Sequence, residues 1–272
     1  MPVPRFSDRL APRDGPGGAP WVRLRGAKRL LLHWSWEPLE VKRLLPPGLS
    51  VDLFQGRAWV GLELSAAASV RPSLYPPLPG RSGQASAGVR TYVHDQFGRP
   101  GTWYLSLEVG GWIGVGLGRL LFHLPAERAV IQVSEGPDPE LTQFRCRPFR
   151  RVEESVFRYG PALPLERLGP DEHSLDYFLI ERHRLFSSEA RTGLLYSSEV
   201  THEPYAVAPA ELPVWDDRLL RDLRLDRGGR PPESARCVRA GYEQAYPPVP
   251  VPSADEEADL AAGAFGDSAL PV

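Results

Sequence analysis

Alternating or continuous apolar positions occupy most of the middle of the chain and predict strands. Segments with this pattern, bounded by turn residues, cover 29–34, 57–64, 89–95, 102–109, 128–134, 141–149, 152–160 and 194–202. Side chains two residues apart share one face of a strand, so such a pattern separates a buried face from a polar one. The sequence therefore predicts a β-rich α+β fold.

Only three segments have helical spacing. The first, 37–45, has Pro38 in its first turn and stops at Pro46, as helix start and stop signals do. The second, 174–186, has Ser174 as N-cap, one apolar face and a charged face from Glu181 to Arg184 that is predicted to meet solvent. A third short helix is predicted at 214–223. These helices should pack around the sheet.

The two ends differ from the middle in composition. Residues 1–20 are rich in Pro and Gly and predict a disordered N-terminal arm. Residues 246–272 predict a Pro-rich, acidic, mostly disordered tail. Residues 21–245 contain no linker and no repeat, so we expect them to form a single domain.

The composition argues against several classes of function. With 42% hydrophobic residues and a formal net charge of −2, the chain lacks the basic excess typical of nucleic-acid binding. The longest apolar run is too short for a membrane span. Cys146 and Cys237 are far apart, which indicates free thiols in a cytoplasmic protein, and no motif indicates a cofactor. Lys28 and Lys42 are the only lysines, so amine chemistry has two candidates.

Several stretches in a fixed order carry a family resemblance. They are HW (33–34), LLPPGLSVDLFQGRAWVGL (44–62), VRTYV (89–93), GRPGTWYLSLE (98–108), GRLLFHLPAE (118–127), SLDYFLIERHRLF (174–186) and EVTHEP (199–204). Together they resemble the uncharacterised YqjF-like family, domain of unknown function 2071, of the acetoacetate decarboxylase-like superfamily. The resemblance implies an antiparallel β-barrel or cone with a small central cavity and a few peripheral helices. By analogy with the superfamily, it also implies a homo-oligomer.

The same resemblance indicates that the decarboxylase chemistry is missing. The decarboxylases carry a Gly-Arg-Glu-x-x-Gly-x-Pro-Lys-Lys run in which a lysine forms the Schiff base. Gly118, Arg119 and Pro125 match that run, but Ala126 and Glu127 stand at the lysine positions. Arg119 is therefore a candidate substrate-binding residue. The chain is not expected to be a Schiff-base acetoacetate decarboxylase.

The predicted hairpin 89–109 supplies further candidates. Arg90, Tyr92, Tyr104 and Glu108 fall on polar faces of its two strands. If these faces line a cavity, Arg90 and the tyrosines would bind substrate, and Glu108 would partner Arg90, because a buried arginine needs a carboxylate or a ligand. If these faces instead contact water, the four residues belong to the solvent-exposed face that antiparallel sheets commonly have. The pattern leaves both readings open.

Histidines complete the candidates. His123 precedes the Ala126 position by three residues and could exchange a proton near neutral pH. His202 and Glu203 are adjacent in a strand and point apart, so no metal site is predicted. Two functions remain: an enzyme without Schiff-base chemistry acting on a small anionic carbonyl or carboxylate compound, with Glu108 and His123 catalytic, or a non-catalytic small-molecule-binding or accessory protein.

Overall fold

Strands form most of the protein. The computed structural model describes residues 2–10, 15–67, 69–73, 84–135 and 141–252. Its strands are β1 Val22–Trp36, β2 Leu49–Val51, β3 Ala58–Ala67, β4 Ser69–Pro72, β5 Gln84–Asp95, β6 Pro100–Val109, β7 Ala126–Glu135, β8 Thr142–Pro148, β9 Ser155–Pro161, β10 Glu166–Arg167, β11 Arg184–Ser188, β12 Leu195–His202, β13 Ala206–Val214, β14 Ser234–Ala245 and β15 Val249–Pro250. The β-rich prediction is confirmed.

The helices are short and lie between strands. They are α1 Phe6–Leu10, α2 Pro38–Lys42, α3 Trp112–Gly116, a π-helical turn Leu117–Leu121, α4 Leu175–Ile180 and α5 Arg218–Arg221. Ser174 caps α4 by accepting a hydrogen bond from Tyr177 N at 3.2 Å, as predicted. None of the helices in the described ranges is both long and apolar enough to cross a membrane.

The strand pairings close two rings that share five strands. We call the first the large ring; it runs β14-β1-β3-β5-β6-β7-β8-β9-β13 and returns to β14. The second, the small ring, runs β14-β1-β3-β5-β6-β11-β12 and returns to β14. Both β7 and β11 pair with β6 in parallel, so the sheet is not purely antiparallel as the resemblance implied.

Alternate residues of the shared strands face two different cores. On β1, Leu30 and Leu32 pack in one apolar cluster with Phe144 and Phe157 of the large ring. Leu31, between them, packs in a second cluster with α4. Because side chains alternate across a strand, each shared strand presents one face to the large ring and the other to the small ring. This geometry decides which polar residues can meet.

The prediction of one helix over 174–186 is wrong for the second half of that segment. The helix ends at Ile180, and β11 begins at Arg184. Glu181, Arg182 and His183, predicted to meet solvent, are buried. The cause is tertiary: β11 pairs with β12 and with β6, and these pairings override the helical spacing.

The chain ends also differ from the prediction in detail. The N-terminal arm contains α1, and its Arg9 binds the buried Asp52 with Nη1–Oδ2 and Nη2–Oδ1 distances of 2.5 and 2.7 Å. The start of the predicted tail contributes β15, which pairs with β12. The rest of that predicted tail, 253–272, lies outside the described residues.

Candidate functional site

A buried carboxylate lies at the centre of the small-ring face. Glu63 of β3 is 2.9 Å from Arg29 Nε and 2.7 Å from Arg90 Nη1, measured to its two carboxylate oxygens. The Tyr104 hydroxyl donates a third bond to it, at 3.1 Å. Arg90 and Tyr104 are directly opposite in the β5–β6 register, so the strand pairing itself positions both around Glu63.

The charges continue beyond Glu63. Arg29 forms a bidentate pair with Glu243 of β14, at 2.8 and 2.5 Å, and the Tyr205 hydroxyl donates to the same carboxylate. Arg90, Glu63, Arg29 and Glu243 thus form a continuous series of ion pairs, which we call the ion chain. Two guanidiniums and two carboxylates balance its charge, which offsets the large cost of removing each from water.

Burial and neighbouring charges shift the pKa values of residues in and beside the ion chain. Burial disfavours the charged form of Arg90, but Glu63 outweighs it and raises the pKa of Arg90 above its usual range. Burial would raise the pKa of Glu243, yet Arg29 holds it below its ordinary value. For Tyr104, burial and then Glu63 both raise the pKa. Arg90 and Glu243 therefore stay charged at neutral pH, and Tyr104 stays a hydrogen-bond donor.

A neutral histidine lies next to the ion chain. His33 Nε2 is 2.7 Å from the Tyr92 hydroxyl, which donates its proton to Leu179 O at 2.8 Å. His33 Nε2 must then donate to Tyr92, which leaves Nδ1 as an acceptor; among the described residues this buried atom has no hydrogen-bond partner. Burial, and then Arg90, lower the pKa of His33 well below its ordinary value. Gly61 leaves the space for this ring, because a Cβ there would lie 2.7 Å from His33 Cδ2.

Helix α4 covers this face of the ring. Leu179 O accepts from Tyr92 and, at 3.4 Å, from Arg90 Nη2. Just after the helix, Arg182 bonds Asp52 at 2.8 Å and lies 4.9 Å from the Tyr92 ring centroid. Through these contacts, helix α4 and Arg182 are bonded to the polar residues of the small-ring face.

Three residues at the edge of the small ring offer metal-binding atoms. The donor atoms of Glu181, His183 and His202 lie within 4.8 Å of one another. The two imidazoles are stacked, however, with centroids 4.3 Å apart and planes at 12°. An imidazole lone pair lies in the ring plane, and metal–nitrogen bonds are about 2.0–2.1 Å, so a shared ion would require one ring to turn.

The structure brings three of the predicted site residues together. Arg90, Tyr92 and Tyr104 lie on the small-ring face, with the Arg90 guanidinium 5.8 Å from the Tyr92 ring centroid. Glu108 does not join them, because an irregularity in the β5–β6 register after Val89 shifts the pairing. The carboxylate partner of Arg90 is Glu63, and the predicted pairing with Glu108 is not formed.

Glu108 lies instead beside the large-ring core. It is 8% exposed, and its carboxylate accepts a hydrogen bond from the Ser106 hydroxyl at 3.4 Å. Burial, with a smaller contribution from Glu127, raises the pKa of Glu108 to about 7. Glu108 can therefore hold or release a proton near neutral pH, but on the other side of the sheet from Arg90.

Arg119 and His123 contact other groups. The Arg119 side chain is 52% exposed and donates to Ala126 O at 2.5 Å. His123 has a positive φ of 52° and lies against Tyr196, with ring centroids 4.5 Å apart. Ala126 is fully buried.

Sequence reasoning missed five of the eight residues of the polar site: Arg29, His33, Glu63, Tyr205 and Glu243. A signal existed at Glu63, a single acid in the apolar run 58–64, and at Arg29 and His33, which flank three consecutive leucines on β1. No comparable signal marked Glu243, because β14 itself was not predicted.

Comparison with known proteins places these features in a family. The model of DUF2071, described as an uncharacterized conserved protein (COG2071), matches residues 24–241. The uncharacterized protein YqjF of Bacillus subtilis (strain 168) is 27% identical over 182 residues, covering 67% of this chain and 73% of YqjF.

Solved structures share the fold at low identity. Acetoacetate decarboxylase from Legionella pneumophila subsp. pneumophila str. Philadelphia 1 has a TM-score of 0.60 at 15% identity and covers 93% of this chain and 92% of its own. The enduracididine biosynthesis enzyme MppR complexed with pyruvate has a TM-score of 0.58 at 14% identity, covering 87% of this chain and 93% of its own. The expected acetoacetate decarboxylase-like fold is thereby confirmed.

Proposed function

Because this chain belongs to the DUF2071 family and has the acetoacetate decarboxylase-like fold, we propose that it binds a small anionic carbonyl or carboxylate compound on the small-ring face and acts on it without an imine. The observation that carries the proposal is the ion chain with His33 beside it. Buried charges are costly unless paired, and ionisable groups gathered with shifted pKa values are typical of functional sites. MppR, a neighbour in fold, was solved with pyruvate, which is a compound of this class.

Arg90 is the residue proposed to hold the anion. Its Nε is buried and has no hydrogen-bond partner among the described residues, and its Nη2 contact with Leu179 O is long, at 3.4 Å. A ligand carboxylate would accept from both nitrogens in a charge-assisted, bidentate pair. Tyr104, which stays protonated, has a single proton that it donates to Glu63; on binding, the hydroxyl would turn that proton to a carbonyl oxygen of the ligand.

His33 is the residue proposed to move a proton. It is neutral, and its Nδ1 can accept a proton, as a general base next to a carbonyl requires. Glu108 and His123, the proton carriers predicted from the sequence, contact groups outside the ion chain, so His33 takes that role here.

An imine mechanism is not part of the proposal. Ala126 and Glu127 stand where the decarboxylases have lysines. The amine of Lys42 donates to Leu49 O, and Lys28 lies on the opposite face of β1 from Arg29. An amine made reactive by a neighbouring cation needs a second basic group beside it in a desolvated site.

The test is a thermal-shift screen of pyruvate, acetoacetate and neutral amides against five proteins. The variants Arg90→Lys and Tyr104→Phe alter the proposed site, whereas Arg119→Ala and Tyr242→Phe are matched changes outside it. A ligand that binds the native state raises its melting temperature by mass action. We expect a keto acid to stabilise the wild type and both control variants, with a smaller shift in Arg90→Lys and Tyr104→Phe.

Two outcomes would contradict the proposal. Equal shifts in all five proteins would place the ligand elsewhere, and no shift with any keto acid would make the ion chain a structural network. Binding without turnover of any bound compound would support the alternative function, a non-catalytic small-molecule-binding protein that uses the same residues.

A further inference from the structure

A cavity opens at one end of the large ring. Its volume is about 600 Å³, and its lining includes Lys28, Tyr159, Leu163, Leu165 and Arg239. This volume lies within the range of small-molecule sites, about 300–1,000 Å³. Lys28 belongs to the β1 face that carries Leu30, so the cavity lies across the sheet from the ion chain.

Two cations face each other in this cavity. Lys28 and Arg239 are directly opposite in the β1–β14 register, where side chains are about 4.5–5.5 Å apart at Cβ. Like charges in this position repel. Within the described ranges neither cation forms an ion pair, and the cavity's acidic residue, Glu135, pairs with neither of them. Among the described residues, Lys28 and Arg239 therefore form a positive site without an ion-pair partner.

The wall beside this cation pair is apolar. Tyr159 and Cys237 belong to the large-ring core and form its inner side. Leu163 and Leu165, with the prolines at 161 and 164, line the outer side. Leu163 is 61% exposed, so its apolar side chain is accessible to a ligand in the cavity.

We propose that this cavity binds an amphipathic anion. A carboxylate or phosphate head group would accept hydrogen bonds from Lys28 and Arg239, and a short alkyl or aromatic tail would cover Leu163 and Leu165. Charge-assisted hydrogen bonds orient the head, and removal of apolar surface from water stabilises the tail. The head-group contacts, Lys28 and Arg239, are not members of the ion chain, although Arg29, which is one, also lines the cavity.

The probes for the test are octanoate, octyl phosphate, octanol and acetate, titrated calorimetrically into the full chain. We expect octanoate or octyl phosphate to bind in preference to octanol and acetate, and the tighter of the two identifies the head group. Added salt should weaken binding, since the cations are exposed.

The variants Lys28→Met and Arg239→Met should each weaken binding of the anionic probe roughly tenfold or more, the effect of losing one charged hydrogen bond. Both should fold, because each removes one of two like charges. Lys42→Met and Arg57→Met, at cations outside the lining of this cavity, are the controls and should bind as the wild type does. Equal affinity for octanol, or unchanged affinity in both site variants, would overturn the proposal.

Discussion

Glu63→Gln is the change that probes the ion chain most severely. The substitution keeps the shape of the side chain but removes the negative charge between two guanidiniums, which lie 2.9 and 2.7 Å away. Arg29 would retain Glu243, whereas Arg90 would be left without a carboxylate. Removing one partner of a buried ion pair costs about 3–5 kcal/mol, because the other charge stays buried.

That loss is large compared with the total stability of a domain, about 5–15 kcal/mol. The assay is urea unfolding, comparing the free energy of unfolding of the variant and the wild type at unchanged m-value. Glu37→Gln is the matched control: its ion pair with Arg57 is exposed, with side-chain exposures of 65% and 42%, and such pairs contribute about 0–1 kcal/mol.

A double variant separates charge from shape. Glu63→Gln combined with Arg90→Met removes both members of the pair, and apolar replacement of a buried pair is often neutral. We expect the double variant to be more stable than Glu63→Gln alone. If Glu63→Gln costs no more than Glu37→Gln, the reasoning that Arg90 is a buried charge held by Glu63 is refuted.

Three further predictions concern Glu108, the packing around His33, and the lysines. The folded state holds a proton on Glu108 up to a pKa of about 7, whereas the unfolded state releases it near 4.5, so stability should fall as pH rises through that window. In urea unfolding, the free energy of unfolding of Glu108→Gln relative to that of the wild type should rise by up to about 3 kcal/mol between pH 5 and pH 8. A difference that is the same at both pH values would contradict this. Gly61→Ala would push a Cβ to 2.7 Å from His33 and should cost about 1–3 kcal/mol in the same assay, and no loss would show that the ring is free to move. Borohydride reduction with a β-keto acid should leave Lys28 and Lys42 unmodified by mass spectrometry, and a stable adduct on either would restore an imine mechanism.

The sequence predicted the sheet better than the site because strand patterns are local and the site is not. The apolar patterns in 29–34, 57–64, 89–95 and 102–109 identified four of the five strands shared by both rings. It could not show that two rings close on opposite faces of those strands. Glu108 was therefore assigned to the same cavity as Arg90, and one irregularity after Val89 separates them.

The helix error at 174–186 has a similar origin. Leu185 and Phe186 fit the apolar face of a helix, but they also fit a strand, and their partners on β6 are remote in sequence. Such pairings depend on the closed ring. Conversely, Ser174 capped its helix as predicted because capping depends only on neighbours.

The most direct test of the proposed function is an NMR titration of the arginine Nε–H groups with pyruvate. Arg90 Nε is buried without a hydrogen-bond partner among the described residues, so a bound carboxylate should shift its resonance strongly. Arg119, exposed on the π-helical turn, should not respond. We predict that pyruvate shifts the Arg90 Nε–H resonance. The shift should be lost in Tyr104→Phe or weakened by competing keto acids. A saturable shift of Arg119 or Arg239 with Arg90 unmoved would contradict the assignment of the site to the small ring.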